Sequence, residues 1–329
     1  MASSLSPEQV LAYVQHIGLP TKYHPPNQPT PSLAFLTALH VHTISTIPYE
    51  NLSLHYSPTK KIIIDPQHTF KKIITDARGR GGYCMETSIL FNHVLRGLGF
   101  TAYTAGARIR LRTNGVPQGP YTGWVHLVNI VTLPGCGTRY MLDVGFGGDG
   151  PTAPIPLRHG NVSGNIDPQE NRLVWEFIPE QVHRVPGQEQ WVYQYRNGGE
   201  GAWNSFYAFP GVEFTEADFK VMNWYTGSYG ESFQTYTVLI VKFLRRKRGV
   251  GGAGGEGEKE DGEEEEQEIY GKRMLVGGVV KENTGGKTRI VQECRTEEER
   301  VEALERWFGM RLSEEERRGI VGHVTELKG

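Results

Sequence analysis

The chain has 329 residues, 38% of them hydrophobic, and a formal net charge of -2. It is long enough for a substantial core in two or three subdomains, and no basic excess points to nucleic acid or an anionic membrane as a partner. Three cysteines, at 84, 136 and 294, cannot make a closed disulfide framework and lack zinc-site spacing, so no metal is expected and a reducing compartment is the simpler reading.

The opening MASSLSPEQV lacks the basic and apolar stretches of a signal peptide, and the apolar runs are far short of a bilayer span. A cytoplasmic monomer is the expectation. Ser6, Pro7 and Gln9 form a capping-box start for a helix carrying Val10, Leu11, Val14 and Ile17, which Gly18 stops. After the Pro-rich HPPNQPTP a second helix is predicted around Leu33 to Ile44. A third opens at Cys84 and carries Met85, Ile89, Phe91, Val94, Leu95 and Leu98 towards Gly97 and Gly99.

After Phe100 the pattern turns to strands. GARIRLRT alternates apolar residues with Arg108, Arg110 and Arg112, as a half-exposed strand does. WVHLVNIVTL is apolar on both faces, the mark of a central strand. RYMLDVGFG follows a Pro134–Gly135 turn signal, and RLVWEFI, QWVYQY, TYTVLIVKFL and KRMLVGGVV also read as strands. Residues 245–268, glycine-rich and acidic after a basic cluster, cannot bury enough apolar surface to offset ordering entropy and are expected to form a disordered insertion. Thr296 and Glu299 begin a terminal helix.

Chemistry concentrates in three places. Cys84 stands at a helix N-terminus behind Gly79, Gly81 and Gly82. Free backbone N–H groups there favour a thiolate, and the glycines let a reactant come close, which is a nucleophile's setting. The bland alternative is a buried cysteine acting as a small hydrophobe. His126 interrupts an apolar strand, and Asp143 does the same in the next. If Pro134 and Gly135 alone close the hairpin, facing residues sum to 269, which sets His126 opposite Asp143. A four-residue loop makes the two diagonal neighbours on the same face; an odd loop separates them. An Asp–His pair with a cysteine is the set that nucleophilic catalysis needs.

RGRGGYCMET, TGWVHLVNIV and YMLDVGFGGDGP, together with TIPYENLSLH, FTEADFKVMNWYTGSYGESF and ALERWFGMRL, resemble the arylamine N-acetyltransferase family over roughly residues 5–245 and 269–312. The resemblance implies an α+β multidomain fold with a cysteine-protease-like triad core: a helical N-terminal domain (1–100) carrying Cys84, a β-barrel-like domain (101–210) carrying His126 and Asp143, and an α/β lid (211–329). It also implies a ping-pong transfer in which an acyl-CoA, acetyl-CoA first among the candidates, acylates Cys84 and an arylamine, arylhydrazine or N-hydroxyarylamine takes the acyl group. Thr122, Gly123, Tyr225 and Ser232 match CoA-contact positions of the family; Val125 and Phe146 match acceptor-pocket positions. The competing reading is a hydrolytic or transglutaminase-type cysteine enzyme with the same residue order. A buried Arg80–Glu50 pair is expected to lock the cysteine loop. The three arginines of GARIRLRT read as an exposed strand face, and Cys136 and Cys294 as incidental.

Overall fold

Ser6 caps the first helix as its sequence predicts: its side chain accepts from Gln9 N–H, and Gln9 reaches back to the Ser6 backbone. The computed structural model describes residues 3–135, 137–249 and 266–329. In chain order it contains α1 (Pro7–His16), α2 (Leu33–Thr46), the short strand β1 (Tyr49–Glu50), α3 (Pro66–Phe70) and α4 (Cys84–Gly97). Then come β2 (Thr101–Thr113), β3 (Val116–Thr132), β4 (Arg139–Leu142), β5 (Ile155–Pro156), β6 (Val162–Gly164), β7 (Gln169–Glu176), β8 (Gln190–Asn197) and β9 (Asn204–Phe209). The rest is α5 (Glu216–Ser228), α6 (Phe233–Tyr236), β10 (Leu239–Lys247), β11 (Gln267–Val276), β12 (Val279–Asn283), β13 (Arg289–Glu293), α7 (Glu297–Ala303) and α8 (Glu314–Gly319).

Two antiparallel sheets result. The larger runs β5-β4-β3-β2-β9-β8-β7-β6 and curls until β5 packs near β7, a nearly closed, barrel-like sheet. The smaller runs β1-β10-β11-β12-β13, so a strand from the first hundred residues edges the C-terminal sheet. The α+β architecture expected from the resemblance is present.

β3 explains why its sequence is apolar on both faces. Leu127 and Val131 pack against the helical core with Phe91 and Leu95 of α4, while Val128 and Ile130 face the barrel interior with Tyr193, Tyr207 and Phe209. Two buried amide bonds lock this strand to α4: Asn92 Nδ2 donates to Asn129 Oδ1 (2.9 Å), and Asn129 Nδ2 donates to Ser88 O (3.1 Å). Buried amides are rarely left unpaired, so this lock sets how the Cys84 helix sits on the His126 strand.

Two expectations change. Thr132 pairs with Arg139 and Asn129 with Leu142, and the Leu133 N–H donates to Thr138 O. Facing residues therefore sum to 271, not 269; the loop holds four residues, and β4 ends at Leu142, one residue before Asp143. An even loop preserves the face, so the diagonal alternative holds. The expected disordered insertion is narrower at its ends: Arg245, Arg246 and Lys247 pair across a strand hairpin with Ile269, Glu268 and Gln267. Residues 250–265 of that insertion, and Cys136, lie outside the described residues. β9 and β13 were not foreseen.

Asn129→Ala leaves the Asn92 amide and the Ser88 carbonyl without their partner in a dry interface. Urea unfolding is expected to show a loss of about 2–4 kcal/mol; a loss under about 0.5 kcal/mol would mean that the lock carries no stability.

Candidate active site

Tyr83 stands at the N-cap of α4, so Cys84 is its first residue and the following N–H groups are unpaired within the helix. Glu86 accepts the Tyr83 N–H (3.1 Å) and thereby fixes the entry angle of the chain. Gly145 lets the segment after β4 abut this helix: a Cβ there would lie 2.8 Å from Cys84 Cα and 2.7 Å from Ser88 Oγ. Gly79, at φ +70°, brings the loop before Cys84 against the turn at Gly309, whose carbonyl oxygen a Cβ would meet at 2.0 Å.

His126 is buried and faces the barrel interior, ringed by Phe146 and Tyr207 at centroid distances of 5.0 and 5.5 Å. Its Nε2 lies 2.8 Å from Asp143 Oδ2, and Asp143 Oδ1 accepts the Gly145 N–H (3.1 Å). A carboxylate only accepts, so Nε2 carries the hydrogen and Nδ1 is the basic nitrogen of the neutral ring. Cys84, Thr122, Val125, His126, Phe146, Tyr225 and Ser232 line one pocket. Gly123 instead lines an adjoining groove with Trp124, Phe214 and Val221, and Val125 and Tyr225 belong to both.

The Cys84 thiol differs from the simple helix-terminus expectation. Burial pushes its pKa up, and the charges of Asp143 and Glu86 push the same way; the N–H of Met85 pulls it down. Burial and the two carboxylates outweigh the helix N–H groups, so the net push on the thiol is upwards. His40, fully buried, is held down at about 4 by burial although the Asp143 charge pulls it up, so it stays neutral behind the site.

Around the cysteine loop lies a larger ion cluster than the predicted pair. Arg80 donates to Glu50 through Nε (3.0 Å) and Nη2 (3.2 Å). Lys72 Nζ bridges Glu50 (3.2 Å) and Glu86 (2.8 Å), and Glu316 of α8 pairs with both Arg80 and Arg78. Burial pushes Glu50 up, but Arg80 and Lys72 outweigh it and hold it at about 2. Burial also pushes Glu86 up, and there Lys72 does not fully offset it. The arginines of β2 are more engaged than an exposed face would be: Arg108 lies over Trp124 (3.8 Å), and Arg112 over Phe206 (4.6 Å) while pairing with Asp149. Cys294 is buried away from this pocket, beside Gln292 and Glu299 O.

A cysteine at a helix start thus shares a pocket with a strand histidine backed by an aspartate. An N-acetyltransferase family model matches residues 32–250. The chain belongs to the arylamine N-acetyltransferase family. It is 33% identical to N-malonyltransferase FDB2 of Fusarium pseudograminearum over 96% of this chain and 92% of that protein. It is 32% identical to the arylamine N-acetyltransferase of Mycolicibacterium smegmatis over 70% of this chain and 75% of that one. Its fold matches the arylamine N-acetyltransferase of Mycobacterium abscessus with a TM-score of 0.74 at 20% identity, covering 97% of this chain and 95% of that one. It also matches the Mycobacterium marinum enzyme in complex with CoA, at a TM-score of 0.71 and 21% identity, covering 97% and 99%. Family membership supports transfer of an acyl group to nitrogen with an acyl-CoA as donor. Among the described residues no helix is long and apolar enough to cross a membrane.

The pocket also contains residues that sequence reading did not single out: Tyr49, Thr226, Phe233 and Gln234. Tyr49 lies in the quoted TIPYENL and Gln234 in GESFQ, but nothing local in either stretch signals that they meet. Their partners are nearly two hundred residues apart.

The ion cluster predicts a pH response. Glu50 is depressed on folding from 4.5 to about 2, so it contributes stability above its unfolded value that is lost as pH falls through that window. Glu86, raised on folding, has the opposite sign and weakens the fold as it ionises. Glu50→Gln is expected to lower stability at neutral pH by about 3–5 kcal/mol, and to flatten the fall in urea midpoint between about pH 4.5 and 2. A parallel fall in variant and parent would show that Glu50 is not the responsible group.

Proposed function

We propose that this protein transfers an acyl group from an acyl-CoA to an aromatic amine or hydrazine through an acyl-Cys84 intermediate. The observation that carries this reading is the opening of Cys84 and His126 into one pocket while Asp143 holds the far nitrogen of the imidazole.

His126 Nδ1 takes the proton as Cys84 Sγ attacks the thioester carbonyl carbon. The resulting imidazolium faces Asp143, which stabilises it and keeps its orientation. The tetrahedral adduct expels the CoA sulfur, which leaves with the proton from His126. In the second half, the amine nitrogen attacks the acyl carbon, His126 removes a proton from it, and Cys84 departs as the thiol. Aromatic amines are weakly basic, so the neutral nucleophile is abundant near neutral pH. Ile109, Phe146 and Phe233 line the pocket with apolar surface that accommodates an aromatic ring and limits water at the thioester. Thr122, Tyr225 and Ser232 at the wall, with Gly123 in the adjoining groove, are the proposed contacts for the pantetheine arm.

Malonyl is the acyl group favoured by the relative matched over nearly the whole chain, the Fusarium N-malonyltransferase. Acetyl is the second reading, because no lysine or arginine is among the described residues that line the pocket. Incubation with malonyl-, acetyl- or propionyl-CoA, without amine, is expected to leave a stable acyl mass on the Cys84 peptide that an arylamine then discharges. Failure of every acyl-CoA to label Cys84, with labelling by amide substrates, would instead favour a hydrolase.

Cys84→Ser is expected to abolish transfer in a folded protein, since a hydroxyl is far less acidic than a thiol. Asp143→Asn is expected to reduce kcat about 10³- to 10⁴-fold by admitting the wrong imidazole tautomer. Near-normal turnover in either variant would remove that residue from the mechanism.

A further inference from the structure

The deepest polar part of the pocket has an order of donors and acceptors that can be read from the backbone outwards. Asn51 is fully buried, and its Oδ1 accepts the Leu239 N–H at 2.8 Å. Its Nδ2 therefore faces Gln234 and donates to Gln234 Oε1 at 2.9 Å. That in turn fixes the Gln234 amide: Nε2 points at Tyr49 and donates to its hydroxyl oxygen. The Tyr49 oxygen is then an acceptor in this chain, and its own hydrogen is directed elsewhere. Tyr49 lines the pocket with Cys84, and burial keeps its phenol protonated.

A second residue with a hydroxyl lines the same cavity. Thr226 on α5 is 4% exposed, lines the pocket, and its Oγ1 has no hydrogen-bond partner. A threonine inside a helix ordinarily returns its hydroxyl to the carbonyl one turn back. A buried hydroxyl without a partner is costly unless a ligand supplies one.

We propose that the hydroxyls of Tyr49 and Thr226 form a subsite for the distal carboxylate of a dicarboxylic acyl group, malonyl being the smallest, while that group is bound as its CoA thioester and then on Cys84. The inference rests on Cys84 as the acyl carrier. Neutral O–H donors make short, charge-assisted bonds to a carboxylate, which answers the lack of a lining lysine or arginine. Glu231, which also lines the cavity, is exposed, so water screens its charge. An acetyl group has no acceptor at that end and leaves the Tyr49 hydrogen and the Thr226 hydroxyl unpaired. A site built to hydrogen-bond a substrate group discriminates against the analogue that lacks it.

The test is a competition. The wild type, Tyr49→Phe, Thr226→Val and Thr226→Ser proteins are given equal concentrations of malonyl-CoA and acetyl-CoA, and the ratio of malonyl to acetyl on the Cys84 peptide is read by mass spectrometry at early times. The wild type is expected to favour malonyl. Each of the first two substitutions should lower the ratio about tenfold or more, and Thr226→Ser, which keeps the hydroxyl, should retain it. Alkylation of Cys84 by iodoacetamide and the melting temperature identify any variant that has lost its fold, and the Thr226→Val and Thr226→Ser pair keeps the proposal testable if Tyr49→Phe is one. Unchanged ratios in folded variants, or a wild type labelled by acetyl alone, would overturn the subsite and leave the acyltransferase reading intact. A wild type labelled by neither donor would overturn both.

Discussion

Glu50 is a carboxylate without access to water, and much of the site hangs on how it is satisfied. It accepts from Arg80, Lys72 and the Leu52 N–H at once. An isolated charge at that depth would be untenable. Its residue is also half of β1, which pairs on one side with β10 and touches Gly82 of the cysteine loop on the other. The same two residues therefore join the C-terminal sheet to the loop before Cys84 and anchor the ions that hold that loop. Exchanging Glu50 for a neutral side chain would leave Lys72 with Glu86 alone and Arg80 with Glu316 alone, and the two cations would no longer be bridged. Such a cluster adds less to net stability than its distances suggest, because each ion gave up its water. What it provides is a single geometry for the segment that presents Cys84.

The electrostatics of the nucleophile follow from that arrangement. Cys84 sits where helix N–H groups attract negative charge, yet burial and the nearby Asp143 and Glu86 carboxylates push its thiol pKa up. Lys72 partly neutralises Glu86 and so limits the repulsion a thiolate would feel. Burial and the two carboxylates thus act on the thiol in one direction, and the helix N–H groups in the other. A permanently ionised thiolate in this cavity would be exposed to oxidation and alkylation. The Asp143 charge disfavours a thiolate at Cys84, and in the proposed reaction it would stabilise the imidazolium formed when His126 takes the proton.

Much of this was legible in the sequence, and the reasons differ by feature. The helices at Pro7 and Cys84 announce themselves through the Ser6 cap or glycine breaks, and that at Leu33 through the Pro-rich connection before it, signals that act within a few residues. His126 and Asp143 were joined by parity: strand faces alternate, so any even hairpin keeps both residues on one side. Parity could not choose between two and four loop residues, and the longer loop was adopted. Type II geometry, which Pro-Gly favours, does not match the twist of a two-residue hairpin. β9 was missed because NSFYAF lies among turn residues and its pairing with β2 is a long-range event. The Tyr49–Gln234–Asn51 chain was out of reach for the same reason: its hydrogen bonds span more than 180 residues, and polar side chains carry no periodic signal.

The last stretch of the chain shows how far the loop's support extends. Residues after Leu312 lie outside the sequence pattern that carries the family resemblance, which would suit a loose tail. Instead α8 begins with a Ser313 capping box whose Glu316 also pairs with Arg78 and Arg80. Gly319 lies so close to Tyr56 that a Cβ would stand 1.8 Å from its carbonyl oxygen. Buried Arg300 reaches the Thr325 carbonyl and the Tyr56 hydroxyl, tying the final turn to the segment after β1. With Glu316 the cluster holds three carboxylates, on Glu50, Glu86 and Glu316, against Lys72, Arg78 and Arg80. Without it, Arg80 would share one carboxylate with Lys72, and the balance around Cys84 would tip towards positive charge. The C-terminal segment thus acts as a strap over the cysteine loop, and its charge is part of the field around the Cys84 thiol.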